Sequence, residues 1–241
     1  MLRVAGSLLF WLFLVTTSVL LFPIAVLIWA FTALFDRRLV ILHRFTCFWA
    51  SLYTWFNPAW PVTVLGRERI RPGETYVMVS NHLSLVDIFV VFRLFTHFKW
   101  VSKVENFRLP FIGWNMRLNR YIELRRGERS SVLRMFEACE KTLAEGNSIM
   151  MFPEGTRSVD GKLRPFKAGA FELAIRSQRP LLLMTVEGSG EALPKRGFVL
   201  QGHHPIRVHV LGEIPVSELG DDPDELTTRV RTRLAVALGQ A

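Results

Sequence analysis

Two short stretches hold the residues best suited to chemistry. In Ser80-Asn81-His82-Leu83-Ser84-Leu85-Val86-Asp87 a histidine is followed, after a short gap, by a carboxylate. On one continuous helix the two would stand roughly 140° apart, so they cannot share a face there. With His82 in a turn and Asp87 in the first turn of the helix that follows, the carboxylate reaches back to Nδ1. Nε2 is then left free as a base. The structural alternative is a histidine that merely packs beside a helix start. Ser84 reads as the cap of that helix rather than as a nucleophile. The second stretch, Phe152-Pro153-Glu154-Gly155-Thr156-Arg157-Ser158, brings together a carboxylate, a glycine turn and a guanidinium fork suited to a polar, anionic group. Its structural alternative is a Glu154–Arg157 ion pair that pins the loop.

The surrounding elements explain how these residues come to one place. Short apolar runs at 76–79, 99–102, 121–125, 148–152, 181–186 and 205–211 predict strands, with an edge strand at 61–65. Helices are predicted at about 85–96, from Ser131 to a closing Gly146, over 167–179, and over 222–238. The alternation gives an α/β fold with a mixed, partly parallel sheet flanked by helices. Both motifs follow strands, so they meet in the crevice where α/β sheets bind ligands. Asn119 is expected to hold a left-handed turn before the strand that ends at Arg125, because asparagine tolerates that backbone. Whether Arg125 or Arg126 points into the site is open at this level.

The first 60 residues differ in kind. Val4 to Phe35 is an uncharged run of roughly 32 residues, long enough to cross a ~30 Å hydrocarbon core. Pro23 is expected to kink or split it. The run is too long for a signal peptide, and no small-residue cleavage site follows it. Residues 39–55 are rich in aromatics but carry His43 and Arg44, which suits a helix at the membrane interface, or else one packed on the domain. Asn57-Pro58-Ala59-Trp60-Pro61 divides the chain into residues 1–60, membrane-anchoring helices, and 61–241, a catalytic domain. Arginines at 37, 38, 44, 67, 69 and 71 follow the apolar run, so the positive-inside bias puts the catalytic domain on the cytoplasmic side, at the inner membrane in a bacterium.

Across 241 residues Lys and Arg outnumber Asp and Glu by 30 to 21, a formal charge of +9. That suits an anionic membrane surface and phosphorylated substrates. No nucleic-acid-binding signature accompanies it, which argues against nucleic acid as a partner. Cys47 and Cys139 lack metal-ligand spacing and read as packed thiols, and His203-His204 reads as a solvated pair. No metal and no bound cofactor is indicated.

The pattern Asn-His-x-x-x-x-Asp followed by Phe-Pro-Glu-Gly-Thr-Arg-Ser resembles the glycerolipid acyltransferase family, in its 1-acylglycerol-3-phosphate acyltransferase branch. Further matches are Lys103-x-Glu105 with Pro110 and Gly113, Arg125, the 166–171 segment and Leu193-Pro194-Lys195, so the resemblance covers roughly residues 75–215. Two positions depart from the pattern: Asn119 stands where the family has glycine, and Leu183 where it often has a second proline.

The resemblance implies acyl transfer to a free hydroxyl of a lysophospholipid such as lysophosphatidic acid, with acyl-CoA or acyl-acyl-carrier protein as the thioester donor. His82 and Asp87 would be catalytic. Glu154, Gly155, Thr156 and Arg157, with Lys103 and Arg125, would bind substrate, and membrane lipids would surround the apolar segment. The rivals are an acyltransferase or transacylase with another lysophospholipid acceptor, a hydrolase using Ser84, and a catalytically dead lipid-binding membrane protein.

Overall fold

Apolar runs rich in Val, Ile, Leu and Met form the buried strands, and segments with one apolar face form the helices between them. The computed structural model describes residues 1–241. Two helices, α1 (Leu2–Thr32) and α2 (Val40–Trp55), precede β1 (Val62–Leu65) and β2 (Val77–Ser80). Then come α3 (Val86–Phe92), β3 (Phe98–Lys103), α4 (Ile112–Leu118), β4 (Ile122–Leu124), α5 (Arg129–Ala144) and β5 (Ser148–Met151). The chain closes with α6 (Gly169–Ser177), β6 (Leu181–Glu187), α7 (Ser189–Ala192), β7 (Ile206–Ile214) and α8 (Pro223–Ala237).

The seven strands form one sheet in the order β1-β7-β6-β2-β5-β3-β4. Neighbours run parallel throughout except β6 and β7, which are antiparallel. The expected mixed, partly parallel α/β sheet is therefore present, with all but one pair of neighbours parallel. Because β2, β5 and β3 are adjacent and parallel, the residues that follow them emerge side by side at one edge.

Each face of the sheet carries its own core. One is closed by α5, α6 and α8 through Met135, Leu143, Phe171, Leu173, Val230 and Leu234. The other is closed by α3 together with α1 and α2, so that Phe10, Leu14, Leu42, Trp49 and Tyr53 share a core with Met78, Val90 and Met150. Cys47 and Cys139 are free and buried in these cores.

Helix α1 continues through Pro23 and is not split there. Its buried positions, Ser7, Phe10, Leu14, Ser18 and Ala25, recur at helical spacing and make one narrow stripe. Polar groups tie that stripe down: Thr17 Oγ1 lies 3.1 Å from Tyr53 Oη, and the Leu200 amide donates to Ser7 Oγ at 2.9 Å. Near its start Trp11 Nε1 donates to the Phe198 carbonyl at 2.7 Å. Towards its end Phe22 meets Trp114, with ring centroids 5.5 Å apart. The opposite side leaves Leu8, Leu12, Leu20, Leu27 and Phe31 exposed. Helix α2 is mostly buried between α1 and α3, with Phe48 and Trp55 on its open side.

Candidate active site

Strand β2 ends at Ser80, and the next side chain fastens that end to its neighbour. Asn81 Nδ2 donates to the Val186 carbonyl, and the Val186 amide donates to Asn81 Oδ1, both at 2.8 Å. This reciprocal bridge to β6 has no signature in local sequence beyond the residue type. Residues 81–84 then turn before α3, which is what the separation of His82 and Asp87 requires.

Asp87, in the first turn of α3, is completely buried. Its Oδ2 accepts the amides of Leu83 at 2.6 Å and Ser84 at 2.9 Å, and it lies 2.8 Å from His82 Nδ1. Its Oδ1 has no hydrogen-bond partner within the protein. A buried, half-satisfied carboxylate costs stability, and its pull is directed at the imidazole. With Nδ1 engaged, His82 carries its proton there and leaves Nε2 as an acceptor. The side chain keeps 15% exposure.

The second motif grips this histidine three ways. The Phe152 ring stacks on the imidazole at a centroid distance of 3.9 Å and an angle of 6°. Glu154 Oε1 accepts the His82 amide at 2.7 Å, and the Ser158 amide donates to the His82 carbonyl at 2.7 Å. Glu154 Oε2 meanwhile accepts the Arg164 amide at 3.1 Å. Both carboxylate oxygens are thus engaged by backbone, and the expected alternative of a Glu154–Arg157 ion pair is absent. Burial pushes the Glu154 carboxyl up to about 7, against the downward pull of those two amides. Gly155 takes the left-handed conformation that makes the turn, and a Cβ there would come within 3.2 Å of the Lys167 side chain.

Ser84 is not placed as a nucleophile. Its hydroxyl donates to the Leu193 carbonyl at 2.6 Å and accepts the Val86 amide at 3.2 Å; it stands one residue before Leu85, the N-cap of α3, and so is not the expected cap.

Cations gather at the same edge. Lys103 ends β3, exposed and without an ion pair. Arg157 lies between Glu154 and Ser158, the two residues bonded to His82. Its carbonyl accepts Lys195 Nζ at 2.7 Å, and its guanidinium has no carboxylate partner. Desolvation, then the nearby Arg164, Arg157, Arg196 and Arg126, hold the Lys195 ammonium below the usual lysine range. That mutual repulsion marks a cluster built to receive negative charge.

Arg125 is not brought into this cluster. It is exposed, pairs with Glu128 at 3.4 Å, and lines a separate cavity beside β4. Arg126, whose charge is opposed by Glu105, is among the arginines that act on Lys195. Successive strand residues face opposite ways, so at the end of the three-residue β4 a shift of one position exchanges the two. The turn before β4 also differs from expectation. Arg120 has the left-handed φ of 54°, while Asn119 is right-handed and buried, donating to Thr46 Oγ1 at 3.0 Å.

The arrangement is a base oriented by a buried carboxylate, open on one side, beside a loop and several free cations. It can remove a proton from a substrate hydroxyl while an anionic group is held nearby.

Comparison with known proteins places this geometry among relatives. The acyltransferase family model matches residues 61–187, a span that includes both motifs. A 1-acyl-sn-glycerol-3-phosphate acyltransferase of Chlamydomonas reinhardtii is 38% identical over 179 residues, covering 73% of this chain and 53% of that protein. The chloroplastic 1-acyl-sn-glycerol-3-phosphate acyltransferase of Brassica napus is 33% identical over 210 residues, covering 86% and 59%. The chain thus spans a little over half the length of these curated relatives. The crystal structure of the 1-acyl-sn-glycerophosphate acyltransferase of Thermotoga maritima has the same fold, with a TM-score of 0.78 at 20% identity over 99% of this chain and 97% of that one.

Proposed function

We propose, from the premise that this chain belongs to the acyltransferase family, that it transfers a fatty acyl group from a thioester to the sn-2 hydroxyl of 1-acylglycerol-3-phosphate, giving phosphatidic acid. The observation that carries this is the His82–Asp87 pair, with Nε2 free and the Ser84 hydroxyl turned away into Leu193. A protein nucleophile is not required, because the acceptor hydroxyl attacks the thioester carbonyl itself. His82 Nε2 takes the hydroxyl proton as the new C–O bond forms. The C–S bond then breaks, and the proton passes to the departing thiolate. Asp87 holds the imidazole and stabilises its charged form.

The acceptor phosphate falls to Arg157 and Lys103, with Gly155 and Thr156 forming the loop it rests on. Arg126 and Lys195 join them in place of Arg125. Glu154 acts as a positioning residue that fixes the loop against His82. The donor is acyl-CoA or acyl-acyl-carrier protein, with no bound cofactor.

Residues 1–60 serve as the membrane-anchoring part and 61–241 carry the chemistry. Helix α1 is long and apolar enough to cross a membrane. Its contacts with the domain run from Arg3 and Ser7 to Phe22, along a helix of about 46 Å. Lying along one leaflet, with Leu8, Leu20 and Phe31 in lipid, accommodates both facts. The basic residues after α1 favour the cytoplasmic side for the catalytic face.

The test is incubation of full-length protein with lysophosphatidic acid and labelled acyl-CoA or acyl-acyl-carrier protein. Labelled phosphatidic acid is expected from one donor or both. Labelled free fatty acid without phosphatidic acid would mean a hydrolase.

A further inference from the structure

A cavity of about 700 Å³ runs beside β4, the open edge of the sheet, walled by α5 and by the turn that joins α1 to α2. Its lining shares no residue with the crevice at His82, and it reaches from Lys99 to Val104, next to Lys103. Lys99, on its wall, pairs with Ile149, and Ile149 pairs with Val77. At about 3.3 Å per residue that level lies roughly 15 Å along the strands from His82.

The lining is cationic and largely uncompensated. Arg125 and Arg134 share Glu128, and Glu123 is taken by Arg117. Arg37, Arg38, Lys99, Arg120 and Lys141 make no ion pair, and Glu145 is the one unpaired carboxylate set against these five cations. Lys99 is the most telling of these. It is 3% exposed, and its ammonium donates one hydrogen bond, to the Arg38 carbonyl at 2.9 Å. An ammonium has three donors, and a buried cation without a counter-ion is costly. Arg120 reaches the cavity from a left-handed backbone and donates to the Arg37 carbonyl at 3.4 Å, so strain is tolerated to hold a further cation there.

We propose that this cavity is a second anion site, separate from the catalytic centre, that takes the phosphate of an anionic membrane lipid. The position of its mouth decides for a lipid. Arg37 and Arg38 follow the exposed Phe31, Leu34 and Phe35 after Asp36, whose carboxylate is taken up by the Ile41 amide, at the point where the apolar helix ends and headgroups begin. The assignment therefore rests on the membrane-bound reading above. A phosphate here would supply Lys99 with its missing acceptor and tie the α1–α2 turn to β3 and β4. Burial, then Arg120, brings the Lys99 ammonium down to about 7, against the upward pull of Asp36 and Glu145.

The experiment uses full-length protein in neutral maltoside micelles and measures retention of phosphatidylglycerol, which is neither the acceptor nor the product of the proposed reaction. Wild type should retain it about 5-fold better than phosphatidylcholine, and Lys99→Met and Arg38→Gln should each abolish most of that preference. Acyl transfer in neutral micelles should stay within about twofold of wild type in both variants. Arg38→Gln, at an exposed position, keeps the test sound should Lys99→Met fail to fold. Equal retention by wild type and both variants would overturn the site. Displacement of the lipid by an equal concentration of inorganic phosphate would overturn its assignment to a lipid. Loss of acyl transfer by the wild type with charge-dependent retention intact would overturn the enzymatic reading and leave this site standing.

Discussion

Asp87 Oδ2 lies 2.8 Å from His82 Nδ1 while the same oxygen accepts the amides of Leu83 and Ser84. The two amides hold the carboxylate where the imidazole needs it, and burial keeps water from competing. Asp87→Asn keeps the volume and a carbonyl acceptor but removes the negative charge that stabilises the imidazolium. The kcat should fall by about two to four orders of magnitude, with KM for the acceptor changed far less. Steady-state kinetics on the folded variant, checked by its melting temperature, would decide it. Activity near wild type would mean that the charge is not used.

Glu154 yields a pH prediction. Burial raises its carboxyl from 4.5 to about 7. Between those values the folded chain holds a proton that the unfolded chain has released, so stability from this group is full below about 4.5 and is lost as pH rises through 7. Glu154→Gln cannot titrate, so the stability gap between wild type and variant should shrink from pH 5 to pH 8 by about 1–3 kcal/mol. Denaturant melts at both pH values test this, and a gap that widens with pH would contradict it.

Much of this was legible in the sequence. The order of strands and helices follows apolar runs and turn residues, and Asp222, expected at the start of the last helix, caps α8 by accepting the amides of Asp224 and Glu225. The His82–Asp87 pairing follows from spacing once a turn is placed between them. What local pattern does not carry is contact across the fold. The Phe152 ring on His82, the bridge from Asn81 to Val186, and the two backbone amides on Glu154 join residues far apart in the chain. Helix α3 stops at Phe92, short of its expected end, and Phe95 beyond it takes a left-handed backbone without the glycine that would have signalled the stop. The exchange of Arg125 for Arg126 turns on a single step at a strand end, the scale at which pattern reading has least resolution.

Arg157→Lys should raise KM for lysophosphatidic acid about 10-fold or more and leave KM for the acyl donor nearly unchanged. Lysine keeps the charge but loses the planar fork. Arg126→Gln should act in the same direction, whereas Arg125→Gln should have little effect, since Arg125 pairs with Glu128 away from the site. A donor-only defect in Arg157→Lys would remove that residue from the phosphate subsite.

Membrane attachment should survive conditions that strip electrostatic binding. The exposed apolar side of α1 contributes area that salt does not screen, while the basic patches are screened within about 3 Å at 1 M salt. Full-length protein should stay in the membrane pellet after both high-salt and carbonate washing. Release by either would mean that α1 is not embedded.

The most direct measurement is transfer of labelled acyl groups to lysophosphatidic acid by wild type, His82→Ala and Ser84→Ala, side by side. His82→Ala should lose turnover while still binding lysolipid. Ser84→Ala should keep most activity, at a stability cost of about 1–2 kcal/mol for the lost bonds to Leu193 and Val86. A dead Ser84→Ala beside an active His82→Ala would contradict direct attack by the acceptor hydroxyl and return the chemistry to a serine nucleophile.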